Sequence, residues 1–192
     1  NMDEIKLLEE CELIEGTTEW NARNSFLLSF YLAGARISDV LRIKWSDLND
    51  GRLYYKMGKN NKVGSVKITS KAERIINLYK ARKNKLDTFV LPELNKADIT
   101  DNKDIYRKIT SAKSKYNKCL KKIAKKVGIT KTLSCHIARH SFGNISGDKI
   151  PVQMLQKLYR HSDITTTINY QQSFMNRETD SALEAVIGSD DD

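Results

Sequence analysis

Ser134-Cys135-His136-Ile137-Ala138-Arg139-His140-Ser141-Phe142, followed after a polar turn by Pro151 to Tyr159 and then Arg160-His161-Ser162-Asp163-Ile164-Thr165-Thr166-Thr167-Ile168-Asn169-Tyr170, decides how this chain is read. If His136 to Phe142 is helical, residues three and four apart share a face, so His136, Arg139 and His140 project the same way. All three histidines of the chain, His136, His140 and His161, fall in this window, with Tyr170 nine residues after the last. A single helical histidine is ordinarily structural. Here proton-handling, cationic and nucleophilic side chains are concentrated together.

Outward from that window, the pattern is mostly helical. Asn1 to Leu13 alternates acids with Ile5, Leu7, Leu8 and Leu13, as a short amphipathic helix does. Thr17 or Thr18 can cap a second helix, whose Trp20, Leu27, Leu28, Tyr31 and Leu32 form a broad apolar face up to Gly34. Arg36 then follows a glycine bend, just before a short helix that Ser38 can cap, which predicts an inward-pointing guanidinium. Strand formers at Arg52 to Met57 and Val63 to Ile68, joined by Gly58-Lys59-Asn60-Asn61-Lys62, predict a β-hairpin with lysines near its tip.

A helix is expected from about Lys71 to Leu86, then a loop from Pro92 to Asn102. Ile105, Ile109, Ala112, Tyr116, Leu120, Ile123, Ala124 and Val127 recur at three- and four-residue steps, predicting a long amphipathic helix stopped by Gly128. Pro151 suits the first turn of a further helix, Ser162-Asp163 can cap the one bearing Tyr170, and Asn176 to Ile187 can form another. The expected fold class is mainly α with a small antiparallel β-sheet, in one domain spanning residues 1–192.

The 192 residues carry a formal net charge of +9, which predicts an anionic partner. Between Lys103 and Lys126 stand ten Lys/Arg and one acid, Asp104, so this segment carries the whole excess. A nearly single-signed run is costly unless a polyanion quenches it, which favours nucleic acid. Lys62, Lys113, Lys118, Lys121, Lys122 and Arg160 are the candidate backbone contacts. The three cysteines have no paired spacing and are expected to be reduced thiols. His136 and His140 have zinc-ligand spacing, but Ile137 stands where the metalloprotease motif needs glutamate and no third ligand follows, so no metal is expected. No stretch approaches the length of a membrane span, and the acidic N-terminus is unlike a secretion signal, so a cytoplasmic location is expected.

Arg36 in Ala-Arg-Ile-Ser-Asp, Lys59 in Gly-Lys-Asn-Asn-Lys, His136 and Arg139 in His-x-x-Arg, then His161 and Tyr170, stand in chain order. That order and spacing resemble the catalytic domain of tyrosine recombinases, the phage-integrase family, across about residues 3 to 175. The resemblance implies the fold of the DNA breaking-rejoining enzymes, with double-stranded DNA as substrate and a homotetramer when two sites are synapsed. The chain departs from the family where Leu-Gly-His is replaced by Tyr159-Arg160-His161. The helical DNA-clamping domain that precedes the catalytic domain in the family is not in this sequence, so a catalytic fragment is expected.

The family chemistry accounts for the residue types. A pentacoordinate phosphorane without a metal needs fixed cations, and the paired donors of Arg36 and Arg139 suit its non-bridging oxygens. His161 is expected to add a hydrogen bond there. A free tyrosine, with a pKa of about 10, is a poor nucleophile at neutral pH. Neighbouring arginines and His136 as proton acceptor are expected to activate Tyr170, while Lys59 protonates the leaving oxygen. Asp39 is a candidate to orient Arg36, and His140 to support the clamp. Because the covalent intermediate stores the energy of the broken bond, no cofactor is needed. Two alternatives remain open. A type IB topoisomerase would relax plasmids lacking any recognition sequence, and a non-catalytic DNA-binding regulator would form no covalent adduct.

Overall fold

Helix α2 (Thr18–Tyr31) is buried along the whole run from Trp20 to Phe30, polar residues included. A helix enclosed all round is a central post, and the others pack around it. The computed structural model describes residues 1–56 and 63–187. Around α2 stand α1 (Met2–Glu10), α3 (Ile37–Val40), α4 (Ser70–Lys80), α5 (Asn102–Lys126) and α6 (Ile137–Ser146). Beyond α6 the chain continues through α7 (Val152–Tyr159) and α8 (Ile164–Ile187), and both α6 and α7 pack against α8. No described helix is long and apolar enough to cross a membrane.

Three of the enclosed polar residues of α2, Asn21, Arg23 and Ser29, find partners on other segments. Arg23 donates from Nη1 to the carbonyls of Leu8, Glu9 and Cys11 at 3.1–3.2 Å, satisfying the last turn of α1, and from Nε to Asn24 Oδ1. Tyr79 on α4 donates its hydroxyl to Asn21 at 3.0 Å. Ser29 donates to the Ala35 carbonyl at 2.6 Å, pinning the residue before Arg36. Thr17 caps α2, accepting from the Trp20 amide at 3.2 Å, as expected for one of the two candidate threonines.

Helix α5 realises the predicted periodicity: Ile105, Ile109, Ala112, Tyr116, Leu120, Ile123 and Ala124 are its buried face, and it ends before Gly128 at φ +76. The sheet is antiparallel in the order β1 (Leu48–Asn49), β2 (Arg52–Lys56), β3 (Val63–Lys67). The β2–β3 register pairs Leu53 with Val66 and Tyr55 with Gly64. The hairpin tip, with Lys59 and Lys62, lies outside the described residues. Strand β1 is an addition to the expected hairpin. It is turned into β2 by Asp50 and Gly51, both at positive φ, the geometry of a type I′ turn.

Several boundaries differ from expectation. Helix α4 stops at Lys80, and residues 81–86 are all exposed, Leu86 at 92%. Arg36, with φ −62 and ψ 139, is itself the cap of α3, so Ser38 lies inside that helix. Helix α8 runs unbroken where two helices were expected, since no glycine or proline interrupts Ile164 to Ile187. Its start matches expectation: Asp163 accepts from the Thr165 amide at 2.9 Å.

Candidate active site

Helix α6 opens at His136, one helical turn before His140, and their rings meet edge to face with centroids 4.5 Å apart. Tyr170, in the second turn of α8, lies over them, its ring stacked on His140 at 4.5 Å and 27°. His136 stands 6.5 Å from the same ring and His161 5.6 Å. The close approach of α8 to α6 depends on Gly143, where an added Cβ would sit 2.8 Å from Tyr170 Cβ. The phenol therefore sits among the histidines within its own chain.

Arg139, on the same face of α6, is 2% exposed. Its Nη1 donates to the Gly34 carbonyl at 2.7 Å, and its Nη2 to the Tyr159 carbonyl at 3.2 Å and to His161 Nε2 at 3.0 Å. The guanidinium lies 3.6 Å from the Tyr159 ring centroid and 5.6 Å from that of Tyr170. Burial, then the charge of Arg36, pushes its pKa below the usual arginine value, while Tyr159 and Tyr170 act in the opposite sense. Arg36 is half-buried at the cap of α3, close enough for its charge to act on Arg139, His136 and Tyr55. Asp39, one turn into α3, is 3% exposed.

Hydrogen bonding settles the state of His161. Arginine can only donate, so Nε2 must be an unprotonated acceptor, and Nδ1 carries the proton toward Thr167 Oγ1 at 3.0 Å. In this arrangement Nε2 is engaged by Arg139, and a hydrogen bond from it to a phosphate, as the sequence expectation has for His161, would require a change of partner. His136 and His140 both have pKa values pushed below the usual imidazole range, by burial first. His140, then Arg139, Lys113 and Arg36 add to the effect at His136, and Arg139 at His140. Both rings are thereby biased toward the neutral form that accepts protons.

Arg160, a candidate backbone contact, packs against the hairpin. It sits in the left-handed region at φ 53, ψ 39, where glycine is ordinarily favoured. Its guanidinium lies 4.5 Å from the Tyr55 ring centroid, and Nη1 donates to the Tyr55 carbonyl at 3.3 Å. Gly64, paired with Tyr55 across the hairpin, leaves room for it: a Cβ there would come within 2.5 Å of Nη2. The side chain thus bridges the end of α7 to both strands. Burial raises the Tyr55 pKa, and the Arg160 charge opposes that shift.

The lysines of α5 do not form one face. Lys113 acts on His136 and Cys135, on the side of the site. Lys122, nine residues on, is turned about 180° from it at 100° per residue, and pairs with Glu19 at 3.6 Å. Lys126 donates to the Glu12 carbonyl at 2.7 Å. Lys118 and Lys121 are exposed. Lys113 is thus on the side of α5 that faces the site, and Lys122 on the side that faces the α1–α2 junction.

Sequence reasoning missed Tyr159, Thr167, Gly34 and Gly143. Tyr159 and Thr167 are both 0% exposed, and Tyr159 donates its hydroxyl to the Arg139 carbonyl. An added Cβ at Gly34, which has φ +68, would sit 2.9 Å from the Tyr159 ring. The available signal was the spacing of Leu155 and Tyr159, which marks the inward face of α7.

A model of the phage integrase family matches residues 3–177. A tyrosine recombinase XerD of Oceanobacillus iheyensis is 26% identical over 180 residues, covering 88% of this chain and 56% of the relative. Among solved structures, XerA recombinase superposes with a TM-score of 0.64 at 18% identity, covering 95% of this chain and 62% of that one. XerH recombinase bound to its difH substrate superposes with a TM-score of 0.62 at 15% identity, covering 88% of this chain and 47% of that one. The chain thus spans about half the length of the curated relative.

Proposed function

Because the chain belongs to the phage integrase family, we propose that it is the catalytic part of a site-specific DNA recombinase, which exchanges strands through a covalent phosphotyrosyl intermediate. The phenol oxygen of Tyr170 attacks the scissile phosphorus and forms a 3′-phosphotyrosyl bond, while the bond to the 5′ oxygen breaks. His136 accepts the phenolic proton. Lys59 supplies a proton to the departing 5′ oxygen. Attack by a 5′-hydroxyl from another strand then reverses these steps and frees Tyr170. Arg36 and Arg139 oppose the charge that builds on the non-bridging oxygens.

The observation that carries this reading is the placement of Tyr170. Its ring stacks on His140, with the Arg139 guanidinium 5.6 Å from its centroid and both other histidines within 6.5 Å. Lys113 and neighbouring cations add contacts to backbone phosphates that carry no sequence information. A homotetramer on two duplexes and an origin in a mobile element or prophage complete the proposal.

The test uses a nicked duplex whose recognition sequence has been selected from a randomised pool by binding to the chain. Unaltered protein should trap a covalent adduct on it. Tyr170→Phe should form none while still binding with strong salt dependence. An adduct from that variant would overturn the assignment of the nucleophile, and none from unaltered protein would overturn strand exchange itself.

A further inference from the structure

We infer that Tyr159 is a positioning residue for strand cleavage, a buried aromatic platform that sets the plane of the Arg139 guanidinium and braces the nucleophile. It touches Arg139 in three ways. Its ring face lies 3.6 Å from the guanidinium carbon, its carbonyl accepts from Nη2 at 3.2 Å, and its hydroxyl donates to the Arg139 carbonyl. The same ring meets Tyr170 edge to face at 5.0 Å and 84°, and His161 at 5.3 Å and 77°. One enclosed side chain thus contacts the phosphate clamp, its histidine partner and the attacking group.

The surroundings are cut to fit this ring. A Cβ at Gly34 would meet the ring and hydroxyl at 2.9 Å, and one at Gly143 would meet the hydroxyl at 3.0 Å. A leucine at this position, as in the Leu-Gly-His pattern that this chain departs from, has neither a π face nor a hydroxyl. Only the main-chain bond to Nη2 would survive. A flat cation on an aromatic face with water excluded is held in one plane, and misplacing a reacting group by about 1 Å costs roughly 10²-fold in rate. Tyr159 acts through Arg139 and Tyr170 and need not touch the phosphate itself.

This inference rests on the strand-exchange proposal, so it is tested by single-turnover adduct formation on the selected nicked duplex at saturating protein. Tyr159→Phe keeps the ring and should stay within about threefold of the parent rate, since it loses one hydrogen bond. Pentafluorophenylalanine at the same position keeps the shape and inverts the charge distribution of the ring face. It should slow adduct formation about tenfold relative to Tyr159→Phe when both rates are corrected for the folded fraction, with duplex affinity unchanged. Tyr159→Leu should slow it at least as much. If Tyr159→Leu does not fold, the phenylalanine and fluorinated pair decides. Equal rates for that pair, or a loss that vanishes when corrected for the folded fraction, would overturn the inference. No adduct from unaltered protein would instead overturn the strand-exchange proposal beneath it.

Discussion

Replacing Gly143 with alanine should slow strand cleavage in a protein that still folds. The added Cβ would sit 2.8 Å from Tyr170 Cβ, 3.0 Å from the Tyr159 hydroxyl and 3.3 Å from the Tyr170 carbonyl oxygen. Ordinary contact begins near 3.4 Å, so α8 must retreat from α6 by roughly 0.6 Å or the Tyr170 side chain must turn away. Crowding of this kind costs about 1–3 kcal/mol. Alanine recovers about 0.5–1 kcal/mol over glycine inside a helix. The net loss is then about 0–2.5 kcal/mol, a fall in melting temperature of up to about 5–10 °C for a chain of this length. Displacement of the nucleophile by a comparable fraction of an ångström should slow adduct formation by up to about 10²-fold. Thermal melting and single-turnover cleavage of the nicked duplex, measured on the same preparation, separate the two effects. A folded Gly143→Ala protein cleaving within about threefold of the parent would refute the claim that this contact places Tyr170.

Arg160→Gly should change stability by no more than about 1 kcal/mol, because relief of the left-handed backbone offsets the lost stack on Tyr55. It should nevertheless speed hydrogen exchange in the β2 and β3 peptides, and unchanged exchange would remove the bridge from α7 to the hairpin. His136 and His140 both have folded-state pKa values below the unfolded one, so their contribution is complete above about pH 6.5 and is lost as the pH falls through the lower folded values. Urea midpoints should therefore drop between about pH 7 and pH 5, and His140→Gln should flatten that dependence. A steeper dependence in His140→Gln would contradict the assigned direction.

The order of the site residues along the chain and the buried face of α5 were legible because both depend on short-range spacing. The Asp50–Gly51 turn was equally local and could have been read from its two residues, since both occupy positive φ. Rotation along α5 likewise separates Lys113 from Lys122 without any structure. Other features depended on partners far away in sequence. Nothing local marks Asn21, Arg23 and Ser29 of α2 as enclosed until Tyr79, the end of α1 and Ala35 arrive to bond them. Tyr159 looked like no more than part of a departure from the Leu-Gly-His pattern, because its cavity is made by Gly34 and Gly143 on other elements. The acceptor state of His161 was invisible for the same reason, since Thr167 and Arg139 fix its proton jointly.

The near-complete enclosure of Arg139 carries a kinetic consequence. A cation with only 2% of its surface in water cannot be captured by a passing duplex at the moment of collision. On the function proposed above, arrival of DNA and engagement of that arginine are separate events, the first bimolecular and governed by ionic strength, the second a first-order loosening of its neighbours. The protein would then dwell on many sequences without cutting them, and the slow internal opening would give a mismatched site time to depart.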